Sequence, residues 1–442
     1  MLEKLHHSLH RQVSIAPLAG FRIVFGLLLF FSSFRTLQKG WVYELYVLPN
    51  YHFAFFDWIK PLDASGMTLL FILLCVSALG ITLGFFYRLS ALVFFILFTY
   101  VELIDKTYYL NHYYLVSLLC FWLVLVPANR SHSLDALLFP KLRSTSVPHW
   151  SILIFKVQLS IVYFYAGLAK VNPDWLFEAQ PLASWLPGRY DLPLLGSIMH
   201  WQETAYLFSW AGCIYDLSIW IFLWRSKTRG LAYFFVLVFH ILTAIIFPRI
   251  GMFPYIMITA TLVFFSAAWH QKWLRFLPFK SGKEVSTSKE TGKKSWLSLA
   301  LGVYLMIQLY LPLRYLQYDG NLFWHELGYR FSWRVMLMEK NGFSSIILKD
   351  PKSGEQKEID QKKYLTAFQR QQMRSQPDML FQFAKHIGDE FLADKGYAPK
   401  VYIKSRISLN GRRSQPFTDE SIDVYALEKK QAMRFILPLQ ES

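Results

Sequence analysis

Apolar residues run along this chain in long stretches rather than alternating with polar ones. Nine stretches approach the roughly 20 residues that cross a bilayer: about 15–34, 66–86, 89–104, 110–127, 150–169, 203–224, 230–248, 251–268 and 295–315. Each predicts a transmembrane helix. Residues 41–62, WVYELYVLPNYHFAFFDWIKPL, are aromatic and interrupted by proline, which predicts an interfacial or re-entrant segment instead. The first apolar run is too long for a secretory leader and no A-x-A-like cleavage site follows it, so it is expected to be a retained span.

The pattern changes after residue 315. SSIILKDPKSGEQKEI reads as two strand-like arms around a Pro/Gly turn. Leu380, Phe383, Ile387 and Phe391 recur at helical spacing over 377–395, closed by Gly396. VYIKSRISL alternates as a strand. The expected fold is therefore mainly α, a membrane bundle of about nine helices over 1–315 with a small α+β domain over 316–442. A polar stretch, 281–294 (SGKEVSTSKETGKK), predicts a flexible cytoplasmic loop.

Composition supports the bilayer: 54% of the 442 residues are hydrophobic and only 17% are charged. The formal net charge of +16 raises nucleic acid as a partner, but the charge is distributed by side. With the N-terminus inside, the inner loops hold sixteen lysines and arginines, from Lys4 to Lys294, against seven outside. Positive-inside asymmetry thus places the N-terminus in the cytoplasm and 316–442 on the outer face, with anionic lipid accounting for the basicity. Cys75, Cys120 and Cys213 each lie in an apolar run, so they predict neither a disulfide framework nor a zinc site. No histidine and carboxylate set has metal-ligand spacing, and HHSLH at 6–10 is expected to be a mobile tail.

Candidate chemistry gathers at one side once the spans are drawn. ELIDKTYYLNHYYL (102–115), YFYAGLAKVNPDW (163–175) and HILTAIIFPRIGMFPY (240–255) bring Asn111, His112, Lys170, His240 and Arg249 to the outer membrane face. Lys170 at the end of an apolar helix is either a snorkelling anchor or, if it faces the bundle interior, a free-amine general base where water is scarce. Ala166, Gly167 and Ala169 would let another helix approach it closely. His112 reads as an interfacial or ligand-facing histidine, and His240 lies within a span, where an ionisable group is costly. Arg22 and Asp216, each roughly 12 Å from its cytoplasmic boundary at 1.5 Å per residue, are expected to form a structural ion pair. In the outer domain Arg330, Arg334, Arg406, Arg412 and Arg413 form either a solvated basic face or a site for a substrate carboxylate, for which Arg330, Arg334 and Arg412 are the candidates.

IDKTYYLNHYYL, YFYAGLAKVNPDW, IYDLS, FPRIGMFPYIM, GYRFSWRVML and ISLNGR, in this order, resemble the vitamin K-dependent γ-glutamyl carboxylases and the bacterial horizontally transferred transmembrane family to which they belong. The likeness runs from Arg22 to about Val424. It implies an enzyme that oxidises a reduced naphthoquinol with dioxygen, producing a strong base and the quinone epoxide. That base removes a γ-hydrogen from glutamate, and carbon dioxide adds to give γ-carboxyglutamate. By the same resemblance Lys170 matches the lysine that deprotonates the hydroquinone. Asn111 and His112 match a pair that contacts the quinone, with His112 also near the chemistry, and His240 matches a further motif histidine. Reduced vitamin K or a related naphthoquinol is then the implied cofactor, with no metal. The implied partners are the bilayer and an exported glutamate-containing polypeptide, and the implied location is a bacterial inner membrane.

Two departures from the animal enzymes stand out. Ala169 precedes Lys170 where those enzymes have a second lysine, and no cysteine lies outside the spans to tie the two parts together. The chain also ends earlier than they do, which leaves the carboxylated substrate open. Two other readings remain: a quinol-dependent enzyme of the same family acting on another substrate, and a transporter or scaffold in which Lys170 is only an anchor.

Overall fold

The computed structural model describes residues 7–277 and 295–440. The stretch 281–294 lies outside the described residues. Among the described residues seven helices are long and apolar enough to cross a membrane, or eight if one bent pair counts as a span. In chain order the bundle is α1 (Ala16–Gln38), α2 (Ala64–Leu83), α3 (Tyr87–Ile104), α4 (Asn111–Leu125), α5 (Trp150–Ala169), α6 (Gln202–Trp224), α7 (Arg229–Ile246), α8 (Phe253–Thr261), α9 (Ala267–Leu274) and α10 (Ser295–Tyr310). α10 runs on as a tighter helical turn through Leu311–Gln317.

Two of the nine expected spans come out differently. α4 has only 15 residues, the Asn111-His112 pair included, because the backbone is extended at Leu110 before it and at Val126 after it. The eighth breaks after Phe264, where Ser266 caps α9 by accepting from the Trp269 N–H, and the chain bends by 112°. α9 then lies against the start of α1, where Ala16, Ala19 and Leu274 pack together. Residues 41–62 contain one short helix, Trp41–Tyr46, entered through Gly40 in the left-handed region. Of the HHSLH stretch, His6 lies outside the described residues. After residues 7–10, which are helical, β1 (Gln12–Ser14) pairs antiparallel with β2 (Ser146–Pro148).

The expected Arg22–Asp216 ion pair is not formed. Arg22 is fully buried, and its guanidinium donates to Ile81 O (2.8 Å) and Thr82 O (2.6 Å), the last carbonyls of α2. It thereby adds donors at a helix end, where Ile81 O also accepts from Gly84 N at 3.1 Å. Asp216 instead meets Lys170. Equal residue counts from two helix ends are equal depths only when the ends are level, and α5 and α6 are staggered. Gly167, near the end of α5, abuts Leu217, well inside α6: a Cβ there would come within 2.7 Å of the Leu217 nitrogen. At the other end Trp224 closes α6 beside the middle of α5, its Nε1 donating to Ser160 Oγ at 2.9 Å.

The C-terminal α+β part follows the alternation in its sequence. A four-stranded antiparallel sheet has the order β4-β3-β5-β6, with β3 (Lys340–Lys349), β4 (Gln356–Glu358), β5 (Lys400–Leu409) and β6 (Gln415–Pro416). In β5, Val401, Ile403, Ile407 and Leu409 turn inward onto α11 (Pro377–Lys395), which offers Leu380, Phe383 and Ile387. Gly396 ends α11 at φ +74°, a conformation glycine adopts without strain.

Polar contacts dock this part on the bundle. Asp105 accepts from Thr107 N (2.8 Å) and Gln369 Nε2 (2.9 Å), and pairs with His52 Nδ1 (3.2 Å). Lys106 and Arg330 share Asp378, at 3.2 and 2.8 Å. Burial alone would raise the Asp378 carboxyl, but the two cations outweigh it and hold it at about 2.

Candidate functional site

The six residues Lys170-Val-Asn-Pro-Asp-Trp build one corner of a cavity. Lys170 is the C-terminal cap of α5, and Pro173 prevents the helix from continuing. Asn172 starts a new turn, accepting from Trp175 N at 3.0 Å and donating to Ala169 O at 2.9 Å. The reversal brings the Trp175 ring to 5.4 Å from Lys170 Nζ, and Trp175 Nε1 is held by Ser209 O at 2.8 Å. Lys170 Nζ donates to Asp216 Oδ2 at 2.6 Å and to Ala166 O at 3.1 Å. Both members of the pair are buried, with side chains 8% exposed.

The cavity, about 690 Å³, lies between α5, α6, α7, α8 and the first turn of α4. Its walls are mostly aliphatic and aromatic, and its polar groups are few: Asn111, His112, Tyr163, Lys170, Tyr215 and Asp216 among them. Sites of this kind bind small apolar ligands and orient them through a handful of polar atoms. Trp333, Val335 and Met336 line it from the C-terminal part, with Trp333 and Met336 at φ +60° and +56°. Left-handed backbone at bulky residues is strained and persists only where neighbours hold it. Here Asn111 Nδ2 donates to Arg334 O at 2.6 Å, and Phe331 N donates to Tyr109 OH at 2.7 Å.

Asn111, His112 and Lys170 therefore reach one cavity, but they stand differently. His112 Nε2 is buried and has no hydrogen-bond partner among the described residues. Asn111 is already engaged, because its Oδ1 also accepts from Tyr109 OH at 2.9 Å. His240 does not line the cavity. It sits behind Tyr163, with Nε2 at 3.3 Å from the Tyr163 hydroxyl, among the rings of Tyr215, Phe239 and Phe253. Sequence reasoning missed Tyr163 and the use of Asp216. Tyr163, Ala166 and Lys170 fall at i, i+3 and i+7, one face of α5, so helical spacing carried the signal for the tyrosine. The stagger that brings Asp216 to Lys170 had no such signal.

Two of the three arginines expected to hold a substrate carboxylate already hold carboxylates of this chain. Arg412 clasps Asp174 with two bonds of 2.8 and 2.6 Å, and Asn410 donates to the same carboxylate at 2.8 Å. Burial would raise Asp174, yet these contacts bring it below its ordinary range. Arg330 binds Asp378 and Gln376. Both guanidinium forks are thus engaged within the chain. Arg334 forms no ion pair among the described residues and lies 4.3 Å over the Tyr315 ring. Among the described residues no group of three or more His, Cys, Asp or Glu side chains could hold a metal ion.

Comparison with known proteins agrees with the fold. The HTTM domain matches residues 10–269, and the lumenal domain of vitamin K-dependent gamma-carboxylase matches 293–442. No solved structure matches the chain. The first match alone spans more than half of the 442 residues and the second takes up most of the rest. The chain belongs to the HTTM-domain family, as a carboxylase-like multi-pass membrane protein with a gamma-carboxylase lumenal domain.

Proposed function

We propose that this protein is a hydroquinone-dependent carboxylase acting on glutamate side chains of exported polypeptides, with Lys170 and Asp216 as its proton-accepting pair. The observation that carries the reading is a buried lysine–carboxylate pair opening onto an apolar cavity beside an unpartnered histidine nitrogen. These residues suit reduced vitamin K or a related naphthoquinol. The walls match an apolar ring, His112 Nε2 offers a hydrogen bond to a ring oxygen, and the cavity continues between α6 and α7 to Thr228 and Leu231, where a tail would lie. When bound, the reduced quinone supplies, with dioxygen, the strong base that carboxylation requires.

The protein's own part is to take a proton and keep water out. If the pair is an ion pair, Asp216 accepts the hydroxyl proton; if it is neutral, Lys170 does. Either route leaves an ammonium at Lys170 and a protonated Asp216, which would balance negative charge on a ring oxygen bound beside them. The Trp175 ring faces the same ammonium. Tyr163 contributes to the cavity wall, with its hydroxyl turned back to His240 at 3.3 Å and Thr261 at 3.5 Å. Apolar walls protect a strong base from quenching by water.

Charge asymmetry and the lumenal-domain match support a C-terminal part over 316–442 on the outer side of a bacterial inner membrane, joined to a membrane domain over 1–315. The test uses the full chain in lipid nanodiscs with reduced vitamin K, dioxygen, labelled bicarbonate and a glutamate peptide. Fixed label together with quinone epoxide is expected, and Lys170→Ala should lose both. Epoxide without fixed label would move the reading to another substrate, and a folded protein that forms neither product would overturn it.

A further inference from the structure

A second cavity, of about 360 Å³, lies on the other side of Tyr109 and Asn111, between α3, α4 and α10. Aromatic rings make most of its wall, including Phe55, Tyr109, Phe121 and Phe331. Glu102, two residues before the end of α3, lines it. Ser117 Oγ donates to Glu102 Oε2 and in turn accepts from Thr99 Oγ1 at 3.3 Å. Glu102 Oε1 has no hydrogen bond, and the residue is in no ion pair, among the described residues. The other polar groups of this cavity satisfy one another: Gln308 Nε2 donates to Tyr114 OH at 3.0 Å, and Tyr304 OH donates to Gln158 at 2.6 Å. One acceptor is left open. An ionisable side chain at membrane depth is costly and is retained where it has work to do.

We propose that this cavity is a second binding site for a neutral, planar, hydroxyl-bearing ring of the hydroquinone class, taken from the membrane phase, with Glu102 as the acceptor of its hydroxyl. Flat aromatic walls select a flat ring by stacking, and the volume is within the range of small-ligand sites. A carboxyl among rings would also suit an ammonium group, but the surroundings oppose a cation. Lys106 Nζ lies 5.9 Å from the Phe55 ring and the Arg314 guanidinium 5.9 Å from the Phe331 ring, so two walls already face positive charge. The two cavities share a wall, where Tyr109 OH donates to Asn111, and a roof, where Phe331 covers one and Trp333 the other. The proposal rests on the proposed function only for the choice of ring.

The test uses a naphthol bearing an aryl azide, crosslinked by light to the full chain in phosphatidylcholine nanodiscs under anaerobic conditions, with the labelled peptides mapped. Two saturable sites are expected, one on residues around Lys170 and Asp216 and one on residues 95–103, 117–121 and 304–308, which line only the second cavity. Thr99→Trp should fill the second cavity and remove its label while leaving the first. Glu102→Gln, which keeps the shape, should weaken the second site about tenfold or more, and the methyl ether of the probe should fail to label it. Label confined to the Lys170 cavity would overturn the proposal, as would equal labelling by the methyl ether or displacement by a lipophilic ammonium but not by naphthol. Label only around Glu102 would support it and count instead against the reading of the Lys170 cavity.

Discussion

Lys170 and Asp216 show how much one side-chain pair can be asked to do. If they take the proton together, Lys170→Ala and Asp216→Asn should each lower turnover by about 10²- to 10⁴-fold, measured as epoxide formed per enzyme. Asp216→Ala should also destabilise the fold by about 3–5 kcal/mol, because it strands a buried charge, and thermal unfolding in nanodiscs would show it. Exchanging Arg22 and Asp216 should rescue nothing, since they never meet; recovery of expression in the exchanged protein would contradict the geometry. Tyr163→Phe leaves His240 Nε2 without its partner. Its expected effect is a loss of about 1–3 kcal/mol in stability, with little further change when His240 is also replaced. Non-additivity in that double-mutant cycle is the readout. Lys170, His112 and Asn111 were visible as polar residues breaking apolar runs. Tyr163 was not, because tyrosine is at home in a membrane helix and only its helical phase with Lys170 singles it out.

Among the elements, the turn after α5 joins the proposed proton-accepting pair to domain docking within five residues. Lys170 faces the cavity and Asp174 is clasped by Arg412 and Asn410 of the C-terminal part. Asp174→Asn or Arg412→Met should loosen that part, seen as faster amide exchange over 170–176 and 408–413, and should lower turnover with the Lys170 pair intact. Unchanged exchange would mean the clasp holds nothing. The Asp378 junction gives a pH test. Its folded carboxyl, at about 2, lies below the ordinary 3.8, so its contribution is present above the higher value and lost as pH falls from about 4 toward 2. Domain docking, followed by proteolysis of the 316–377 region, should weaken over that window, and Asp378→Asn should remove the dependence. Strand and helix patterns over 340–409 could be read directly from alternation and the Gly396 stop. The roof segment 331–336 could not, because its left-handed residues are bulky ones that local preference argues against.

For the whole molecule, orientation is the quantity to measure. Cys75, Cys120 and Cys213 are buried, so thiol labelling of intact cells starts from a low background. Ser353→Cys, on the exposed turn between β3 and β4, should label with a membrane-impermeant reagent, and Lys141→Cys should label only after permeabilisation. The opposite result would invert the topology and place the cavity roof in the cytoplasm.

Sequence alone was sufficient for the membrane class, seven of the nine expected spans, the strand-and-helix order of the C-terminal part and the gathering of Asn111, His112 and Lys170. These follow from local periodicity and from the cost of putting polar groups in lipid, and neither needs a partner to be known. What met what was decided only in three dimensions. The stagger of α5 against α6 gave Asp216 to Lys170 rather than to Arg22, the fold of the C-terminal part paired Arg330 with Asp378, and its docking paired Arg412 with Asp174. Helix offset is set by close packing at Gly167 and Leu217, a contact between residues fifty positions apart that no local pattern encodes.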